Sequence, residues 1–190
     1  MMRRLSLWIV LAICVIASIE SRPAAAAPEM PSTNFTECTS EPIAIPQKGE
    51  TGDLTLPSPT ATMIDESNTT PADEATIAAI TEPIVQSLAC QNAGDVLRML
   101  ASFSDGWIAE QFTGYDLVFY GRFVDAANSA TPVPDDGQVD LVSIDNVRLR
   151  SDGSVLATVM TSVNGQQQTS LLVLLNTSTG WKIDGSQPIS

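Results

Sequence analysis

The stretch VDLVSIDNVRLRSDGSVLATVMTSVNGQQQTSLLVLLNTSTGWKID, residues 139–184, decides the fold. It reads as strands joined by tight turns. Between Val139 and Arg150, Val139, Leu141, Val147 and Leu149 share one parity, while Val142 and Ile144 hold the other. Side chains along a strand alternate between two faces, so this mixed parity predicts a bulge or burial on both faces. Ser151-Asp152-Gly153-Ser154 reads as a hairpin turn. Val155, Ala157, Val159 and Val163 then alternate, as a strand buried on one face requires. Asn164-Gly165 is the strongest hairpin signal in the chain, because both residues tolerate positive φ. Thr169 to Leu175 is an almost unbroken apolar run, which places it centrally with both faces covered. Asn176 to Gly180 turns once more, and Trp181-Lys182-Ile183-Asp184 is a last short strand.

Helical spacing precedes this meander. Thr70-Pro71 reads as a helix start, with Thr70 as cap, Pro71 at the first position, and Asp73 and Glu74 in the first turn. Ile77, Ile80, Ile84 and Leu88 then form an apolar face, with Pro83 inside the helix, where it is expected to kink it, and Asn92-Ala93-Gly94 at its end. Asp95 caps a second helix carrying Val96, Leu100, Phe103 and Trp107, which Ser104-Asp105-Gly106 breaks or bends. Residues Tyr115 to Asn128 are read as a third helix, and Thr131 to Gly137 as a loop. Helices followed by an antiparallel meander define an α+β domain over residues 71–190.

Residues 27–70 are different. Pro28, Pro31, Pro42, Pro46, Pro57 and Pro59 interrupt any regular element, and apolar residues lack periodicity. This segment is expected to be a disordered leader except near Cys38. Ahead of it, Arg3 and Arg4 precede an apolar run from Leu5 to Ile19 that ends in small residues from Ala24 to Ala27. That order is the pattern of a cleaved export signal over residues 1–26, with Ala24 and Ala26 satisfying the cleavage rule. The rival reading is an uncleaved anchor, although the run is about 15 residues and a spanning helix needs roughly 20. The expected location is therefore secreted or extracytoplasmic, with no membrane association after cleavage.

Cleavage removes three arginines and one glutamate. Nine basic and 22 acidic residues become six and 21, and the net charge moves from −13 to −15. Such a chain repels nucleic acid and anionic headgroups. No histidine is present, which excludes the usual Ser and Cys triads and most zinc sites. No metal or cofactor motif occurs. Cys38 and Cys90 remain after cleavage, and an even pair in an oxidising compartment favours a disulfide over two unrelated thiols. In the chain-entropy model, closing a loop of this length is worth at most about 4 kcal/mol. Sequons stand at Asn34, Asn68 and Asn176.

The layout resembles the nuclear-transport-factor-2-like, or SnoaL-like, superfamily. The opening helix runs into Ala89-Cys90-Gln91-Asn92-Ala93-Gly94-Asp95, with a second helix straight after it. Thr179-Gly180-Trp181-Lys182-Ile183-Asp184 resembles the family's closing strand. The resemblance covers roughly residues 72–188 and implies helices packed in the concave face of a curved antiparallel sheet. A cysteine before Asn-Ala-Gly-Asp paired with an earlier one resembles an exported, bacterial-type branch. The resemblance also implies a small apolar ligand or a protein partner, and a homodimer through the sheet. Catalytic members use a His–Asp pair or a Tyr with a carboxylate; lack of histidine excludes the first here.

Candidate constellations are few. Tyr115, Tyr120, Asp116 and Asp125 could supply an oxyanion donor and a base, but such residues near a helix start more often cap and pack. Asp140 and Asp184 could reach a cavity, yet alternating strand carboxylates usually face solvent. Arg148 and Arg150 could hold an anion, or simply keep a sheet edge soluble. Phe103, Trp107, Tyr115, Tyr120, Met160 and Trp181 are the candidate lining of an apolar pocket, or plain core. The preferred reading is an exported, non-catalytic binding or interaction module holding a small apolar ligand in the cone. The alternative is an exported isomerase- or hydrolase-type enzyme using Tyr and Asp. N-terminal sequencing of exported protein should place the mature terminus within a few residues of Ala27; a chain starting at Met1 or Met2 contradicts the signal assignment.

Overall fold

The computed structural model describes residues 37–44, 68–112 and 117–189, and of residues 117–119 the backbone alone. The strands β1 (Thr69–Pro71), β2 (Val139–Arg150), β3 (Val155–Val163), β4 (Gln166–Thr177) and β5 (Gly180–Ile189) form one open antiparallel sheet in the order β1-β2-β3-β4-β5. Helices α1 (Glu74–Asn92), α2 (Val96–Leu100), α3 (Asp105–Phe112) and α4 (Leu117–Ala127) lie between β1 and β2 in sequence. The architecture is α+β, as the order of elements implies.

The meander follows its turn chemistry. Asn164 and Gly165 take φ of 51° and 75°, which joins β3 to β4 in a two-residue loop, Val163 facing Gln166. Gly153 takes φ of 83° between β2 and β3. There the Ser154 hydroxyl and amide donate to the Asp152 carboxylate, at 2.6 and 2.9 Å, and hold its carboxyl below the usual range. The mixed parity of β2 resolves into two register shifts, one between Leu141 and Ser143 and one between Asp145 and Arg148, the second containing Asn146 at φ 48°. Val155, Ala157 and Val159 share a face with Leu174 and Ile183 and meet Ile80 and Ile84 of α1, all at 4 % exposure or less. Leu156 and Leu171, buried as well, project to the other face, so β3 and β4 are covered on both sides.

The start of the domain differs from the sequence reading. Thr70 and Pro71 belong to an edge strand, with Thr69 opposite Arg150 and Pro71 opposite Arg148. Proline suits an edge because it has no N–H to give to a ladder. The cap of α1 is Asp73, whose carboxylate accepts from the Thr76 amide at 2.7 Å; the Thr76 side chain and backbone hold its carboxyl below the usual range. The sheet thus begins inside the segment assigned to the leader. Helix α1 continues through Pro83. The second helix is interrupted, but before Ser104-Asp105-Gly106 rather than at it: α2 stops at Leu100, and α3 starts at Asp105. The third helix is found as α4; the beginning of the proposed span, with Tyr115 and Asp116, lies outside the described residues.

Residues 92–95 lock the helices to the sheet. The Asn92 amide acts as a strand partner for Val139, donating to its carbonyl at 2.9 Å and accepting from its N–H at 2.8 Å. Gly94 takes φ of 69° and ends α1. Asp95 caps α2 by accepting from the Arg98 amide.

Besides the residues that enter β1, the leader contributes a strap, residues 37–44. Cys38 and Cys90 lie at disulfide distance, 2.06 Å between sulfurs. The Thr39 amide donates to Gln86 Oε1 at 2.9 Å, and the Ile43 amide to the Leu97 carbonyl at 3.3 Å. Apart from residues 37–44 and 68–70, the proposed leader, with the whole of the proposed signal segment, lies outside the described residues.

A side chain at position 94 is excluded twice, by the positive φ and by the Thr131 carbonyl oxygen, 1.9 Å from where a Cβ would stand. Gly94→Ala should therefore cost at least about 2 kcal/mol. Urea unfolding measures it, and a loss below about 0.5 kcal/mol would show that the loop at Thr131 yields freely.

Candidate functional site

The residues with functional potential meet where α2 gives way to α3 against the last strand. Leu174 faces Ile183, but Val173 faces Gly185, so Asp184 is the extra residue of a bulge in β5. A bulge re-aims the side chain it carries. Outside Ile183, residues 102–104 add a short parallel partner: the Ile183 amide donates to the Ser102 carbonyl and the Ser104 amide to the Ile183 carbonyl, each at 2.9 Å. The Asp184 carboxylate then accepts from the Ser104 hydroxyl. That same oxygen accepts from the Trp107 amide at 3.0 Å, which makes Ser104 the cap of α3. Lys182 completes the joint by donating to the Ala101 carbonyl.

Phe103 and Trp107 are stacked across this turn, with ring centroids 4.3 Å apart and planes at 28°. Both are half-buried. Phe103 also packs against the α1–sheet core, as Trp181 does. A second apolar cluster, built on Leu100, Ile108 and Phe123, takes in Trp107 and the strap residue Ile43.

The described candidate pocket residues do not all come together. Phe103 and Trp107 touch, and Trp181 packs on the core that Phe103 also contacts. Met160 stands opposite Ser143 and Thr169, on the face of β3 turned away from Ala157 and Val159, so it does not join the aromatic pair. Parity already required this, because Met160 and Val159 are consecutive in one strand. Tyr120 is half-buried on α4, and Tyr115 lies outside the described residues. Asp125 and Asp140 are exposed. Arg148 donates to the Thr69 carbonyl at 3.2 Å, and Arg150 pairs with Asp152 at 3.4 Å, so both serve the sheet edge and its hairpin.

Ser104 and Lys182 were missed as joint residues. Ser104-Asp105-Gly106 resembles the turn at Ser151, yet one opens a helix and the other a hairpin. The distinguishing signal is the helical run after Ser104, whereas a strand follows Ser154. Chemically the joint is a set of mutual restraints. The Ser104 hydroxyl is 7 % exposed, its proton goes to Asp184 and its lone pair to Trp107. A nucleophile would need that proton removed by a base with access to substrate. Among the described residues no cluster of His, Cys, Asp and Glu could hold a metal ion.

Comparison with family models, with curated proteins and with solved structures gave no match for this chain.

Ser104→Ala removes the α3 cap and leaves Asp184 without its hydroxyl donor. The expected loss is about 1–2 kcal/mol in urea unfolding. Ser104→Thr, which keeps a hydroxyl, should retain most of the stability; equal losses in both variants would mean that packing rather than hydrogen bonding matters there.

Proposed function

We propose that this chain works outside the cytoplasm as a non-catalytic interaction module. The carrying observation is the filling of the helix-covered sheet face. Ile80 and Ile84 meet Val155, Ala157, Val159, Leu174 and Ile183 there at 0–4 % exposure. An enzyme built in such a fold needs polar groups converging on a space that admits substrate. Here the inner face presents aliphatic groups to one another. Of the described carboxylates, Asp73, Asp95 and Asp152 stand in caps and turns, Asp184 in the joint, and Asp125 and Asp140 at the exposed surface. An apolar ligand or partner would meet the half-buried Phe103 and Trp107 rather than this interior.

The sequence pattern of residues 1–26 supports export, and the proposed disulfide suits an oxidising compartment. One long helix, further helices and then an antiparallel meander support the nuclear-transport-factor-2-like reading. The cone of that superfamily, its apolar ligand and its sheet-mediated dimer belong to the same proposal.

Exported protein should be assayed against chromogenic esters, glycosides and enolisable ketones. Turnover should stay at the buffer rate, and Asp140→Asn, Asp184→Asn and Tyr120→Phe should leave any residual rate within a few-fold. Substrate turnover that falls about a hundredfold or more in one of these variants, with the fold intact by circular dichroism, would replace the module with an enzyme.

A further inference from the structure

We infer that the Cys38–Cys90 bond is a redox-released latch, which holds the strap on the helices and, once reduced, loosens the α2–α4 cluster while the α1–sheet core stays folded. The two apolar clusters differ in depth. Among the described residues the sheet cluster has seven buried members, whereas the helical cluster has three, Leu100, Ile108 and Phe123, surrounded by half-buried neighbours. A thin cluster of short helices opens at lower free energy than a filled core. The strap covers part of it. Ile43 packs into the cluster, and its amide reaches the Leu97 carbonyl. Among the described residues the strap's other hydrogen bonds are one from the Thr39 amide to Gln86, one from the Ser40 hydroxyl to the same oxygen, and one from Arg98 to the Cys38 carbonyl at 3.5 Å. These contacts are few and partly exposed. The covalent bond supplies what they lack, because it keeps Ile43 at high effective concentration over its seat.

The chemistry points to attack at one sulfur. Cys90 is fully buried, and Cys38 is half-buried in the strap. A thiolate of a dithiol reductant attacks Cys38 Sγ; the S–S bond breaks, and Cys90 leaves as a thiolate that takes up a proton. The second thiol of the reductant then displaces Cys38 and closes its own disulfide. Two electrons and two protons pass from the dithiol to the two cysteines. Among the described residues the freed strap keeps its exposed and part-buried hydrogen bonds and the Ile43 contact. Loss of Ile43 from α2 uncovers apolar surface of the Leu100–Ile108–Phe123 cluster.

Hydrogen exchange of the full exported chain, with and without dithiothreitol, tests this. Amides of Val96–Ala127 should exchange about tenfold faster or more after reduction, while those of Val155–Thr177 should change by less than about threefold. Binding of an apolar fluorescent dye should rise in parallel. A Cys38→Ser/Cys90→Ser double variant should reproduce the reduced pattern; if it does not accumulate, wild type reduced after folding gives the same readout. Ile43→Ala in the oxidised protein should show part of the acceleration, confined to the same helices. Unchanged exchange in 96–127 after full reduction would overturn the latch, and so would equal loss of protection in both segments, which would make the bond a general staple.

Discussion

Phe103 is the residue on which the two halves of this fold depend. Among the described residues it is the side chain that packs against both apolar clusters. Its backbone is fixed by Ile183, which hydrogen-bonds to the residues on either side of it. That pairing exists because the chain between α2 and α3 runs extended for three residues along the outer edge of β5. An unpaired edge would leave N–H and C=O groups free to recruit another chain. Here the helical layer supplies the missing partner, and the same contact decides where that layer sits.

The bulge at Asp184 makes this joint specific. Without the extra residue, Asp184 would alternate with Ile183 and project from the opposite face. With it, the carboxylate accepts from Ser104, while Ile183 stays in the core. Ser104 in turn caps α3 and positions Trp107 for its stack on Phe103. One inserted residue therefore sets a cap, a helix direction and an aromatic pair. The polar groups of the joint satisfy one another, which is how buried polar atoms contribute to a defined structure rather than destabilising it.

Much of the sheet was legible in the sequence because its information is local. Asn164-Gly165 and Asp152-Gly153 specify turns through positive φ, and the strands between them carry their own alternation. The mixed parity of Val142 and Ile144 announced irregularity in β2. What could not be read was non-local. Strand β1 is three residues long and exists because Arg148–Arg150 offer it an edge; Thr70-Pro71 by itself looks like a helix start. The bulge at Asp184 depends on the register of β4, not on any feature of Trp181 to Asp184. The site was less legible still. Phe103 and Trp107 were found by helical spacing, although Phe103 lies in the break between two helices. Met160 was grouped with them by chemistry, against the parity of its strand.

The strap adds a constraint of another kind. Strands and helices here are held by ladders, caps and packing, over separations that include the 80 residues between Ser104 and Asp184. Cys38 and Cys90 are 52 residues apart, and the segment at Cys38 has no regular structure of its own. Its hydrogen bonds go to Gln86, Leu97 and Arg98, all on one side of the molecule, beside the thin helical cluster. A bond placed at the sheet would have reinforced a core that is already filled. Placed on α1 next to α2, it secures the apolar cluster with the fewer buried members among the described residues. Location therefore explains the disulfide better than loop length does: it supports the helices that Phe103 must hold against the sheet.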